Sequence, residues 1–172
     1  MSPPVFPEIV ATIRRSKSAL LQTEGELERL VEVAGRRAGR RGGILILIDS
    51  DGDCPSVVAE SMLRRASAAR PDLPIAVVLA KRELEAWFIA AAKSLQGKSG
   101  MVDQIELPAD PVAINDAKGW IKMHMKTRRY SETVDQVKLT IEFDLDEAQA
   151  CRSFRKLYKE VTQMLTRRYL AD

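Results

Sequence analysis

Two short runs built only from aliphatic residues constrain the fold of this chain more than any other feature. Ile44–Ile48 and Ile75–Ala80 contain no polar position. Such runs predict strands that are covered on both faces, as in a parallel sheet. A helical pattern over Cys54–Ala69 separates the two runs, and another over Glu83–Leu95 follows the second. Strands that alternate with helices predict an α/β fold, with a mostly parallel sheet flanked by helices.

The segments on either side extend this pattern. Ile9–Arg14 alternates weakly and predicts a further strand, whereas Thr23–Arg37 has helical spacing with Thr23 and Glu26 placed as a capping box. Beyond Gly97 the pattern is helical over Asn115–Lys126 and over Asp146–Tyr169. Between these segments, Ser131–Phe143 is ambiguous. We therefore expect one domain over residues 1–172, with an α/β core in 1–97 and a mainly helical extension in 98–172.

Composition excludes several classes of protein. The chain has 172 residues, of which 45% are hydrophobic and 30% are charged, as in a globular domain. It lacks the run of about 20 apolar residues that a membrane helix requires, and its N-terminus lacks a signal-peptide pattern. We therefore expect a cytoplasmic protein without membrane association. Cys54 and Cys151 are expected to be reduced thiols, and the single histidine, His124, argues against zinc sites and histidine-based triads.

Three aspartates follow the first aliphatic run at alternate positions, namely Asp49, Asp51 and Asp53. Because parallel strands end at one edge of a sheet, where ligands bind, these side chains are expected at the functional edge. Alternation points Asp49 and Asp51 the same way if strand geometry persists to Asp51. Carboxylate oxygens without histidine favour Mg²⁺ or Mn²⁺. Asp53 fits an N-cap of the following helix more readily than a metal ligand.

Two glutamates, Glu83 and Glu85, follow the second aliphatic run at the same predicted edge. Residues two apart on a helix differ by about 200° in direction, so both cannot face one ion. We expect Glu83, which is nearer the strand, to be the third carboxylate of the site. The alternative is that both acids only complement the positive N-terminal end of the helix dipole.

A phosphatase of the haloacid-dehalogenase type is an alternative for the same loop. Its Asp-x-Asp-Gly motif would make Asp49 the nucleophile and Asp51 the acid, with Mg²⁺ alongside. Lys81 would supply the lysine of that chemistry. The second acidic strand end that it needs has only a poor match, at residues 143–146.

Basic side chains form two clusters, which consist of Arg36, Arg37, Arg40 and Arg41, and of Lys122, Lys126, Arg128 and Arg129. Phosphate binding by these clusters would make affinity fall steeply with salt. The net charge of +3 is too small to imply nucleic acid by itself, so a solvated rim is the competing interpretation. Lys118, between Ala117 and Gly119, is expected either to reach the acidic edge as an electrophilic stabiliser or to be an ordinary surface lysine.

Four strings of residues together carry a resemblance to a known family: LILIDSDGDCP, ARPDLPIAVVLAKRELEAWF, NDAKGW and YSETVDQ. They resemble an uncharacterised bacterial family catalogued as domain of unknown function 4276, which has a Toprim-like fold. The similarity extends roughly over Arg15–Val161. It implies a Mg²⁺-dependent, nuclease-like site, in a family often encoded beside an ATPase in bacterial defence modules.

The resemblance also implies roles for individual residues. Asp49, Asp51 and Asp53 match the motif aspartates. Glu83 and Glu85 match the acidic pair that follows the second strand. Lys118 and residues 130–136 match two C-terminal signatures.

The N-terminus departs from the family pattern. Relatives usually begin with a strand that ends in Val-Glu-Gly, whose glutamate is the general acid or base of Toprim chemistry. Here the sequence begins MSPPVFPEIV, and Thr23-Glu24-Gly25 only mimics that motif. A sheet without this strand would expose backbone groups and apolar surface, so we expect a homodimer or partner docking there. Two hypotheses follow: metal-dependent phosphodiester cleavage, or a non-catalytic subunit that binds an ATPase or nucleic acid.

Overall fold

The two aliphatic runs form the two strands of a parallel sheet, β1 (Ile44–Asp49) and β2 (Ile75–Ala80). The structure is a computed structural model that describes residues 8–10 and 12–170, with the side chains of 167–170 left out. The Ile44 N–H donates to the carbonyl oxygen of Pro74, and the Ser50 N–H to that of Ala80. The constant offset along both strands makes the pairing parallel, as predicted.

Within the described part of the chain, helices precede, separate and follow the strands. They are α1 (Lys17–Gln22), α2 (Glu26–Ala38), α3 (Pro55–Ala69), α4 (Glu85–Ala90), α5 (Ala92–Leu95), α6 (Ala117–His124), α7 (Asp135–Glu142), α8 (Leu145–Ala148) and α9 (Arg152–Leu170), with a 3₁₀ turn at Pro111–Ala113. The predicted α/β fold with a helical C-terminal part is confirmed.

The predicted helix over Glu83–Leu95 is divided in the structure. It begins two residues later than predicted, at Glu85, and Ala91 separates α4 from α5. Arg82 has a left-handed backbone, with φ of 63°, which turns the chain between β2 and α4. Glu83 therefore lies before the helix, so the argument that the two glutamates differ by about 200° in direction on one helix does not apply.

The predicted strand over Ile9–Arg14 is wrong for the residues that the structure describes there. Residues 8–10 and 12–16 adopt no regular secondary structure. Ile9 and Val10 are 85% and 56% exposed. Two apolar side chains that bury so little surface do not stabilise a strand.

The predicted capping box at the start of α2 is also wrong. Thr23 instead closes α1, with its N–H donating to the Ala19 carbonyl oxygen. Gly25 is the N-cap of α2, in a left-handed conformation that glycine adopts easily. The Glu26 carboxylate accepts hydrogen bonds from Arg29 and Arg15, which hold its pKa well below its usual range, at about 2.

The prediction that both strands are covered on both faces holds for β2 and fails for β1. Residues 76–80 of β2 are buried, whereas Leu45 and Leu47 of β1 are 40% and 38% exposed. Within the described residues, β1 pairs only with β2. The homodimer or partner expected where relatives have their N-terminal strand stays a prediction, which sedimentation of the purified chain would test.

The chain divides into two compact units that interleave in sequence. The first contains the described residues up to Ile48, together with 56–78 and those from Tyr158 onward. A two-pronged ion pair between Arg65 and Glu28 joins α3 to α2 in this unit, with distances of 2.6 and 2.8 Å. Ala59, Met62 and Ala66 form the buried stripe of α3.

The second unit contains residues 49–55 and 79–157. Gly97, the expected boundary between the α/β core and the helical extension, lies inside this unit. Its core has two groups of buried side chains, one around Phe88 and one around Trp87 on α4. Phe143 packs edge-to-face against both Phe88 and Phe154. The indole N–H of Trp87 donates to Ser153 at 2.9 Å. α4 therefore forms the centre of this unit.

Cys54 is exposed and Cys151 is buried, and no disulfide joins them. Over the stretches that the structure covers, no helix is both long enough and apolar enough to cross a membrane.

Candidate functional site

The loops after β1 and β2 are held together by one backbone hydrogen bond and one that involves a side chain. Ser50 is buried, and its hydroxyl accepts a hydrogen bond from the Arg82 N–H at 2.8 Å. The Asp51 N–H donates to the Arg82 carbonyl oxygen at 3.2 Å. Asp51 has a left-handed backbone with φ of 50°. Strand geometry therefore ends at Asp49, and alternation does not decide where the Asp51 side chain points.

Asp49 is a partly buried carboxylate at the end of β1. Burial raises its pKa from an ordinary 3.8 to about 6, and the charges of Glu85 and Asp51 act in the same direction. The Lys118 charge and a hydrogen bond from the Leu84 N–H oppose that rise. Asp49 therefore lies within electrostatic reach of acids from both loops and of one lysine.

Glu85, the first residue of α4, is fully buried. Its Oε1 accepts hydrogen bonds from the Tyr130 hydroxyl at 2.8 Å and from Gln136 Nε2 at 3.3 Å. Its Oε2 is buried without a hydrogen-bond partner among the described residues. Buried carboxylate oxygens are normally hydrogen-bonded or bound to a cation. Among the described residues, this oxygen therefore stands out as a buried polar atom whose partner is missing.

Glu83 has a different environment from Glu85. Its Oε2 accepts a hydrogen bond from the Lys118 N–H at 3.2 Å, and its Oε1 lies 3.5 Å from Lys118 Nζ. The same ammonium group lies 3.0 Å from Glu132 Oε1. Burial alone would lower the Lys118 pKa, but the hydrogen bond with Glu132 and the charges of Glu85 and Glu83 outweigh it and raise that pKa.

The structure brings most of the predicted site residues together. The charges of Glu85, Lys118 and Asp51 act on Asp49, and Glu83 is bound to Lys118. The Asp53 side chain is exposed. Among the described residues, no three histidine, cysteine or acidic side chains converge as a complete ligand set for a metal. Asp49 and Glu85 are two carboxylates whose charges interact, and the charge of a third acid, Asp51, also acts on Asp49.

Tyr130 and Gln136 contribute to the site, but residue spacing in the sequence assigned neither of them a role. The family resemblance marked their segment, but neither has a pattern that points to Glu85. Burial and the hydrogen bond to Glu85 raise the pKa of Tyr130 far above its usual value, so this hydroxyl acts as a donor. A signal did exist for Glu85 itself, since it directly precedes AWFIAAA, an apolar segment that is expected to be buried.

A cleft of about 630 Å³ adjoins these residues in the second unit. Its walls come from α6 and from the segment before α7; they are formed by Asp116, Lys118, Gly119, Lys122, Tyr130, Ser131, Glu132 and Thr133. From the second basic cluster, Lys122 lines the cleft, whereas Lys126 pairs with Asp103 at 2.9 Å. Tyr130 and Lys118 both line the cleft and interact with acids of the site.

The comparison with known families gives a match to a family described as a domain of unknown function, DUF4276, over residues 5–162. The chain belongs to this family. The matched region of this DUF4276 chain includes every site residue from Asp49 to Gln136. No curated protein and no solved structure matches it significantly.

The pKa of Asp49 in this DUF4276 protein predicts a stability effect. The pKa of Asp49 in the folded protein, about 6, exceeds its ordinary value of 3.8. Asp49 therefore makes its full contribution to stability only at a pH below that ordinary pKa. This contribution is lost as pH rises through about 6. We expect Asp49→Asn, in the presence of EDTA, to raise the melting temperature by several degrees near pH 8 and little near pH 4.

Thermal unfolding of both proteins across this pH range checks the expectation. Glu106→Gln, at an exposed acid of the same unit, is the control and should show no such pH dependence. A gain from Asp49→Asn that is equal at both ends of the range would contradict the raised pKa.

Proposed function

We propose that this DUF4276 protein binds Mg²⁺ or Mn²⁺ with Asp49 and Glu85 as ligands and cleaves phosphodiester bonds. The observation that carries the proposal is the buried Glu85 Oε2, which has no hydrogen-bond partner in the described chain. Asp49 supplies a second carboxylate, whose pKa is raised by burial and by the Glu85 charge. A divalent cation would stabilise both carboxylates.

The chemistry of these groups fits a hard cation. The available ligand atoms are carboxylate oxygens, which Mg²⁺ and Mn²⁺ prefer. Mg²⁺ usually keeps several waters and takes only one or two protein carboxylates together with substrate phosphates. A complete protein ligand set of three or more groups is therefore unnecessary. Asp51, whose charge also acts on Asp49, is the third acid in reach.

When bound, the cation would stabilise negative charge on the phosphoryl group and lower the pKa of a water molecule. The protein itself would orient the substrate. The Lys118 ammonium group, held by Glu83 and Glu132, is placed to approach a phosphate that enters the cleft. Lys122, one helical turn further along α6, adds a second positive charge to the wall of the cleft.

Nucleic acid is the substrate class that we favour. The nuclease-like chemistry implied by the Toprim resemblance supports it, as do the two lysines of the cleft. Binding through these lysines would weaken with increasing salt. The ATPase partner and the role in defence remain predictions from the resemblance alone.

The test is a cleavage assay with labelled DNA and RNA oligonucleotides, with Mg²⁺ or Mn²⁺ and with EDTA. We expect cation-dependent cleavage by the wild type. We expect a loss of at least roughly 100-fold for Asp49→Asn and a smaller loss for Asp51→Asn. The exposed-acid variant Glu106→Gln should match the wild type.

Equal activity in wild type, Asp49→Asn and Asp51→Asn would remove the site. Cation binding without cleavage of any oligonucleotide would instead favour a nuclease-derived binding subunit. Turnover of small phosphorylated compounds with transient modification of Asp49 would favour the phosphatase alternative. That alternative has less support, since Asp144 caps α8 by accepting the N–H groups of Asp146 and Glu147 and does not end a strand.

A further inference from the structure

We infer that Tyr130 and Gln136 are positioning residues that hold Glu85 by one carboxylate oxygen and thereby keep the other oxygen available as a ligand. The inference rests on the proposed function, because it concerns the same cation site. Both donors bind Oε1, at 2.8 and 3.3 Å, and neither binds Oε2. The carboxylate is therefore fixed on one side only.

A purely structural role would leave a different pattern. A buried acid that only needs to be tolerated is best stabilised when both of its oxygens receive hydrogen bonds. Here two donors converge on one oxygen while the other has no hydrogen-bond partner in the described structure. Such one-sided support is typical of the hydrogen bonds that orient a metal-binding carboxylate from behind.

The segment that carries the two donors is itself well held. The Ser131 carbonyl oxygen accepts the N–H groups of Val134, Asp135 and Gln136, at 3.2, 2.8 and 3.3 Å. The Ser131 N–H in turn donates to the Asp135 carboxylate at 2.9 Å. This turn brings Tyr130 and Gln136, six positions apart in the chain, to the same oxygen atom.

The same segment also forms one wall of the cleft. Ser131, Glu132 and Thr133 line it together with Tyr130, and Glu132 binds Lys118, another residue of the lining, at 3.0 Å. The residues that orient Glu85 are therefore continuous with those that would contact the substrate. This continuity gives the segment a role in the site beyond the filling of space around a buried acid.

The test measures the affinity for Mn²⁺ by electron paramagnetic resonance, with the full chain and two variants. Tyr130→Phe removes only the hydroxyl, and Gln136→Met replaces the amide by an apolar thioether of similar length. We expect each to weaken Mn²⁺ binding by roughly 10- to 100-fold. Tyr158→Phe is the matched control, because Tyr158 is 46% exposed on α9 in the first unit, and its affinity should equal that of the wild type.

Thermal unfolding of the metal-free proteins, measured in parallel, separates the possible roles. Lower stability with unchanged Mn²⁺ affinity in both variants would show a structural role and overturn the inference, while the proposed cation site would stand. No Mn²⁺ binding by the wild type would overturn the proposed function, and this inference with it. A variant that fails to fold leaves the other to decide, since the two donors are independent side chains.

Discussion

Replacement of Glu85 by glutamine is expected to weaken Mn²⁺ binding by at least roughly 100-fold and also to stabilise the metal-free protein. The loss of affinity follows from the removal of a charged ligand. The gain in stability has a separate cause, because a fully buried carboxylate with one oxygen lacking a described hydrogen-bond partner opposes folding. Its charge also repels that of Asp49.

The glutamine side chain suits this position sterically. Its carbonyl oxygen can accept the hydrogen bonds that Tyr130 and Gln136 now donate to Oε1. The neutral amide no longer repels Asp49. We expect a gain of about 1 kcal/mol in the free energy of unfolding, measured near pH 8 with EDTA by urea denaturation.

Glu147→Gln is the matched control for this experiment. Glu147 is a partly buried glutamate of the same unit, and it accepts a hydrogen bond from the Ser94 N–H at 3.0 Å. Its replacement should leave Mn²⁺ affinity unchanged and should not stabilise the protein. If Glu85→Gln destabilises the protein and leaves Mn²⁺ affinity unchanged, Glu85 is a structural acid and the proposed site is wrong.

The parts of the fold that could be predicted from the sequence are those set by short-range patterns. The second strand was predicted with its observed bounds, and the first missed only Asp49, because both are aliphatic runs that end at polar residues. The strand predicted over Ile9–Arg14 failed for a complementary reason. Alternation is informative only where one face becomes buried, and Ile9 is 85% exposed.

The predicted site shows the same division between short-range and long-range information. Acids after both strands were expected to meet, because parallel strands end at one edge, and the charges of Asp49 and Glu85 do interact. Glu83 was ranked above Glu85 because it is nearer the second strand in the chain. The left-handed Arg82 and the later start of α4 give Glu85 the buried position and leave Glu83 to Lys118.

The hydrogen bonds that Tyr130 and Gln136 donate to Glu85 could not be predicted from sequence patterns. Tyr130 and Gln136 lie 45 and 51 positions away from Glu85 in the chain. Their segment, before and at the start of α7, has no regular hydrophobic period that would orient it. Only the packing of α5 against α7 and of α4 against α6 in the second unit brings these side chains to α4.

Replacement of Phe88 by alanine is expected to cost about 3–5 kcal/mol of the free energy of unfolding. Phe88 is 1% exposed, and its ring packs edge-to-face against Phe143 with the ring centres 5.6 Å apart. The truncation would leave a cavity that the surrounding side chains cannot fill without shifting. Urea denaturation of wild type and variant measures the cost.

The comparison with Ile141→Ala makes this experiment specific. Ile141 is a large apolar side chain of the same unit but is 77% exposed, so its truncation should change stability by no more than about 0.5 kcal/mol. Similar losses in both variants would contradict the assigned core.

Phe88 also lies about one turn after Glu85 on α4. We therefore expect the folded fraction of Phe88→Ala to bind Mn²⁺ less tightly than Ile141→Ala, because the orientation of the buried carboxylate depends on how firmly α4 is packed.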